Sequence, residues 1–229
     1  MKIGYLQKFS LIDYPGKISA IIFTQGCNFR CGYCHNPELV DPALFSEPVA
    51  HDEVFSFLKK RTGKLDAVVI TGGEPTMHKA LPAFAAAIKD LGYLVKLDTN
   101  GTNPKVLSEM IAKGIIDYIA MDVKAPLEKY DEVVGARVDN DAVIASMNMI
   151  MHSPVDYEFR TTLVQDLLVP EDIVMIGEQI RGAMLYVLQR FVPSKHVDTG
   201  FITAKTFSEE TIENLKMRIE PMVERLIVR

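Results

Sequence analysis

The chain has no cysteine outside one eight-residue window, no apolar run of membrane length and no large excess of either charge. Each absence narrows what the protein can be. Cys27, Cys31 and Cys34 are odd in number and too tightly spaced to staple distant loops, which excludes a disulfide framework and points to reduced thiolates with a metal or redox role. No stretch reaches the roughly 18 apolar residues of a membrane span. The opening MKIGYLQKFSLIDYPGK is broken by Lys2, Lys8, Asp13 and Lys17 where a secretion signal would stay apolar, so a cytoplasmic protein is expected. With 25 basic and 30 acidic residues the formal charge is -5, which argues against nucleic acid or a membrane surface as a partner.

What is present is a chain of 229 residues, 48% hydrophobic, enough for one α/β domain. Apolar, β-branched runs predict strands at 18–24, 67–71, 93–98, 118–122, 157–163 and 184–189. Amphipathic stretches between them predict helices at 52–61, 80–91, 104–113, 141–151 and 171–182. Strands alternating with helices imply right-handed βαβ units and a parallel sheet, here a partial (β/α)6 barrel. Tyr14-Pro15-Gly16-Lys17 suits a turn, which makes 3–11 an extra N-terminal hairpin strand. Residues 208–228 read as a C-terminal helix capped by Ser208, with Pro221 kinking or interrupting it. A single domain is expected, with its core at about 17–195 and a helical extension at about 207–229.

The polar clusters fall just after, or at the end of, predicted strands. Cys27 to Cys34 follows the first, Gly72-Gly73-Glu74-Pro75 the second, Asp98-Thr99-Asn100-Gly101 the third and Asp122-Val123-Lys124 the fourth; Arg160 lies in the fifth and Gln189 ends the sixth. Carboxyl ends of parallel strands share one face, so these residues should line one pocket. A closed zinc site would need a fourth ligand, such as His35, whose position directly after Cys34 is awkward. Three cysteines on a 4Fe-4S cluster would leave one iron open to a ligand.

The run CNFRCGYC, followed by His35-Asn36, GGEP, DTNG and DVK in that order, resembles the radical S-adenosylmethionine (SAM) enzymes, and among them the glycyl-radical-enzyme activases. The opening LQKFSLIDYPGKISAIIFTQGC is most similar to activating proteins of anaerobic ribonucleoside-triphosphate reductases, and the resemblance spans residues 4 to 195. It implies that Cys27, Cys31 and Cys34 hold a 4Fe-4S cluster whose open iron binds SAM. One electron would then cleave SAM to methionine and a 5'-deoxyadenosyl radical, which abstracts hydrogen from a glycine of a partner glycyl radical enzyme. A flavodoxin or ferredoxin would supply the electron.

The resemblance also implies site roles. Gly72, Gly73 and Glu74 would receive the SAM amino group, Lys124 and Arg160 its carboxylate, and Tyr33 with the backbone of Cys34 and His35 its adenine. Asn100 belongs to the same strand-end set, and Gln189 stands where related activases often carry histidine. Two carboxylates beside a carboxylate ligand need a positive counterpart. A monovalent cation held by Asp98, Thr99, Asp122 and the Val123 carbonyl would supply it; alternatively each acid caps the next helix. Two rival readings stand beside this one: a radical SAM enzyme modifying a small metabolite or another glycyl radical enzyme, and a non-catalytic zinc-binding module.

Overall fold

The computed structural model describes residues 1–229. Eight strands form one sheet in sequence order. β1 (Ile3–Ser10) runs antiparallel to β2 (Ser19–Thr24), and every later neighbour pair is parallel: β3 (Ala67–Gly72), β4 (Leu94–Thr99), β5 (Tyr118–Asp122), β6 (Asp156–Leu163), β7 (Tyr186–Arg190) and β8 (Leu226–Val228). β1 and β8 do not pair with each other, so the sheet stays open, as expected of a partial barrel.

The intervening helices are α1 (His51–Arg61), α2 (Leu81–Asp90), α3 (Pro104–Ala112), α4 (Tyr130–Val134), α5 (Asn140–Met151) and α6 (Pro170–Gln179). Local chemistry explains several boundaries. α1 opens with Asp52 and Glu53 and closes with Lys59, Lys60 and Arg61, matching the helix dipole at both ends. α5 starts where the Asp139 carboxylate accepts from the Ala142 N–H. Between β1 and β2 the expected turn forms, with the Lys17 N–H donating to the Tyr14 carbonyl at 3.2 Å and Gly16 at φ +69°.

The two faces of the sheet bury different things. One face packs Ile22, Ile70, Leu97, Ile119 and Phe159 into a large apolar core that also takes in the helices. A second, small cluster of Tyr14, Ile21, Ala67, Val69 and Tyr118 packs apart from it, with the Tyr14 and Tyr118 rings 5.6 Å apart. Strand residues alternate between faces. The positions of Lys96 and Asp98, and of Glu158, Arg160 and Thr162, therefore share a face along their strands.

The C-terminus departs from expectation. α7 (Glu209–Ile219) does begin at Ser208, whose hydroxyl accepts from the Thr211 N–H, but it does not continue to Val228. After a short 3-10 turn over Glu220–Met222, which contains Pro221, the chain becomes β8 and pairs with β7, Leu226 opposite Tyr186 and Val228 opposite Leu188. Proline cannot supply the N–H that a continuing helix needs, and the free edge of β7 offers Leu226-Ile227-Val228 a better partner.

Candidate active site

A cavity of about 460 Å3 opens at the carboxyl ends of β2 to β7. Every predicted site residue lines it except Val123: the three cysteines, Tyr33 and His35 from the loop after β2, Gly72 to Glu74 from β3, Asp98 to Asn100 from β4, Asp122 and Lys124 from β5, Arg160 from β6 and Gln189 from β7. Asp13, Phe23, Phe29, Asn36, Val40, Thr71 and Thr162 also line it and were not foreseen. Strand alternation was the available signal for Thr71 and Thr162, since Thr162 lies two residues from Arg160 on the same face.

The cysteine loop has no regular secondary structure between residues 25 and 36. Bonds to distant segments hold its shape: the Arg30 N–H donates to the Val134 carbonyl (2.8 Å), the Gly26 N–H to Leu39 (2.7 Å), the Asp198 N–H to the Gly32 carbonyl (2.9 Å) and His35 Nε2 to the Val192 carbonyl (2.8 Å). Arg30 turns back on the loop, donating to the carbonyls of Cys27 and Phe29 at 2.7 Å each. Tyr33 is buried edge-on against Phe191 and Phe201, with Lys124 Nζ 5.9 Å from its ring centre. The three thiols are free. Burial pushes Cys27 up to about 12 and raises Cys31 and Cys34, against the lowering influence of Lys124.

No three cysteine, histidine, aspartate or glutamate side chains close on one ion position. With His35 Nε2 bonded to Val192, the thiols present three soft donors to a broad cavity, a donor set suited to an iron-sulfur cluster.

The GGEP segment locks onto its neighbours. Gly72 sits at φ +121°, and a side chain there would run into the Thr24 backbone; at Gly73 one would meet the Gly26 carbonyl. The close approach these glycines permit is to the chain itself, where the Gly73 N–H donates to Thr24 and the Glu74 N–H to Gly26. The buried Glu74 carboxylate accepts from the Thr76 N–H (3.0 Å), the Thr99 hydroxyl (2.8 Å) and the Asn100 N–H (2.7 Å). These bonds tie β3 to β4 and leave Glu74 little capacity for another donor.

Across the strand ends runs a ladder of alternating charge. Lys96 Nζ meets Asp98 Oδ1 at 2.5 Å, Asp98 Oδ2 meets Arg160 Nη1 at 3.1 Å, Arg160 Nε meets Asp122 Oδ1 at 2.7 Å, and Asp122 Oδ2 meets Lys124 Nζ at 3.0 Å. Burial alone would raise both carboxyls, yet Arg160 with Lys96 lowers Asp98, and Arg160 with Lys124 holds Asp122 far below the carboxylate range. Burial works against Lys124 as well, and Asp122 more than offsets it, keeping the lysine charged.

The residues expected around a monovalent cation have partners within the chain. Thr99 Oγ1 is engaged by Glu74 and by the Gly101 N–H, and the Val123 carbonyl accepts from the Thr161 hydroxyl at 2.7 Å. The Arg160 guanidinium bridges the Asp98 and Asp122 carboxylates and places a positive charge between them.

Arg160 Nη2 makes no hydrogen bond within the chain, and Lys124 Nζ makes one. Donors thus remain for an anionic group of a ligand in the cavity.

A family model described as the radical SAM superfamily matches residues 21–177. The chain is 35% identical to a protein assigned as a glycyl-radical enzyme activating enzyme of Methanocaldococcus jannaschii, over 96% of this chain and 92% of that one. It is 27% identical to the pyruvate formate-lyase-activating enzyme of Streptococcus mutans, over 82% of this chain and 74% of that one. Among solved structures, Streptococcus suis SuiB bound to S-adenosylmethionine superposes with a TM-score of 0.67 at 16% identity, covering 91% of this chain and 49% of the other.

Proposed function

The chain belongs to the radical SAM superfamily and, within it, to the glycyl-radical-enzyme activating enzymes, and from that premise we propose that it installs a glycyl radical on an anaerobic ribonucleoside-triphosphate reductase. Its cofactors are a 4Fe-4S cluster and SAM. Together, when bound, they supply one-electron cleavage of a sulfonium and removal of a hydrogen atom from glycine. The protein's part is to bind, orient and keep out water.

In this reading Cys27, Cys31 and Cys34 hold the cluster and leave one iron for SAM. Lys124 and the free Nη2 of Arg160 receive the SAM carboxylate, where Arg160 can act because Asp98 and Asp122 already fix its plane. The Gly72-Gly73 backbone faces the amino group. Tyr33 and the backbone of Cys34 and His35 border the adenine, while Asn100 and Gln189 line the remainder. Glu74 and Thr99 position β3 and β4. We further propose one domain over 1–229, a reducing cytoplasmic setting and a flavodoxin or ferredoxin donor. No helix of the chain is long and apolar enough to cross a membrane.

One observation carries the reading: three unpaired thiols and two cations with spare donors line the same cavity. The test is anaerobic cluster reconstitution followed by dithionite, SAM and the reductase. We expect brown protein with about four irons per chain, 5'-deoxyadenosine, and a glycyl radical on the reductase by electron paramagnetic resonance. Colourless protein holding one zinc would sink it. 5'-Deoxyadenosine without any protein radical would favour a small-metabolite substrate, and a radical formed only on another glycyl radical enzyme would change the partner.

A further inference from the structure

Cys27 is gripped on both sides by the strand ends. Before it, the Gly26 carbonyl accepts from the Glu74 N–H at 2.8 Å; after it, Asn28 Oδ1 accepts from Asn100 Nδ2 at 2.9 Å. The two anchors are themselves joined, since the Asn100 N–H donates to Glu74 Oε2 at 2.7 Å. Cys31 and Cys34 are flanked instead by bonds that leave the strand-end clusters, from Arg30 to Val134, from Asp198 to Gly32 and from His35 to Val192. Of the three thiols, Cys27 is therefore the one registered directly to Glu74 and Asn100.

Asn28 belongs to a closed ring of side chains. Its Nδ2 donates to Thr102 Oγ1 (3.0 Å), the Thr102 hydroxyl donates to Asn100 Oδ1 (2.7 Å), and Asn100 Nδ2 donates back to Asn28 Oδ1. The main chain sets the direction of the ring. Asn100 Oδ1 also accepts from the Thr102 N–H at 3.1 Å, so Asn100 must present its oxygen there and its NH2 to Asn28, and the other two members follow. Bonds that run one way round a ring polarise one another, so opening it at any member weakens the rest. Asn100 lines the main cavity, whereas Asn28 and Thr102 do not, so any effect of these two on a ligand must pass through Cys27 or Asn100. Resting on the assignment of Cys27 to the cluster, we propose that Asn28 and Thr102 are positioning residues, which through this ring hold Cys27 in register with the strand ends that seat SAM. Partners of a metal ligand that never touch the metal set the ligand's orientation in this way.

The test measures iron per chain and the affinity for labelled SAM on anaerobically reconstituted protein, for Asn28→Ala, Thr102→Val, the two together and Thr102→Ser. Iron content should stay at the native level while each of the first two weakens SAM about three- to tenfold, the loss of one or two hydrogen bonds felt through Cys27. The double variant should be no weaker than the weaker single one, because both open the same ring. Thr102→Ser keeps the hydroxyl and should bind SAM as the native protein does, which a role in packing the threonine methyl would not allow. Asn28 is exposed, so Asn28→Ala carries the test alone should Thr102→Val fail to fold. Unchanged SAM affinity, losses that multiply in the double variant, no rescue by serine, or loss of iron in place of SAM affinity overturns the positioning role. Native protein that assembles no cluster would overturn the cofactor reading and this inference with it; native protein that binds SAM no better than the variants overturns this inference alone.

Discussion

The cysteine loop and the strand-end ladder face each other across one cavity, and they are held in place by different means. The loop has no helix or strand of its own and takes its shape from bonds to Val134, Val192 and Asp198, far away in sequence. Its thiols have no counter-charge in proportion to their burial, so burial keeps them protonated without a cluster. The ladder from Lys96 to Lys124 sits on or beside strand ends, and cations of the chain itself pair both of its carboxylates. One wall is completed by what binds there, the other by the chain. Damage to the first should therefore cost function, and damage to the second stability.

The sharpest break in that contrast is Cys31→Ala. It should abolish cluster assembly and all SAM cleavage, while the cluster-free variant unfolds in urea at nearly the native midpoint. A large drop in that midpoint would mean that the loop thiol carries packing after all. Next is Arg160→Met, which leaves Asp98 and Asp122 facing each other without their shared cation. Removing one partner of a buried ion pair costs about 3–5 kcal/mol, and urea titration of the cluster-free protein should show a loss of that size. A native-like midpoint would mean that Lys96 and Lys124 suffice.

Lys124 lies at the ladder's end and tests whether the stable wall also binds. Lys124→Ala should leave the cluster intact and weaken SAM roughly ten- to a hundredfold, the loss of a cation contact to a buried carboxylate. Equilibrium dialysis of labelled SAM reads this directly; unchanged affinity would remove Lys124 from the SAM site.

The same contrast explains what was legible in the sequence. Strands carry their own period, so β5 was placed at its observed bounds, Tyr118–Asp122, and the strand-end clusters were correctly gathered on one face. The cysteines were legible because their spacing is local. What escaped depends on pairing across the fold. Lys96 sits between Val95 and Leu97 and reads as an interruption of an apolar run until Asp98 is placed on the same face. Leu226-Ile227-Val228 is too short to announce a strand without the free edge of β7. The bridge from Arg160 to Asp98 and Asp122 also escaped, because β6 sets Arg160 opposite Asp122 only through the sheet register. The bonds of Glu74 to Thr99 and Asn100 were not legible either, because those partners lie on another segment.

The smallest expected effect concerns acid, where the ladder's sign can be read. In the folded protein Asp98 and Asp122 titrate below their ordinary range, whereas in the unfolded chain they titrate near their usual value of about 3.9. Their contribution is therefore fully present near neutrality and is lost as pH falls below about 4, since the unfolded chain takes up protons first. In Arg160→Met the facing carboxylates repel, one of them protonates at higher pH than in the unfolded chain, and lowering pH toward 5 should recover stability. Urea midpoints at about pH 7 and 5 should then run level in the native protein and rise on acidification in the variant. Identical pH slopes would show that Arg160 is not what lets the two carboxylates share this wall.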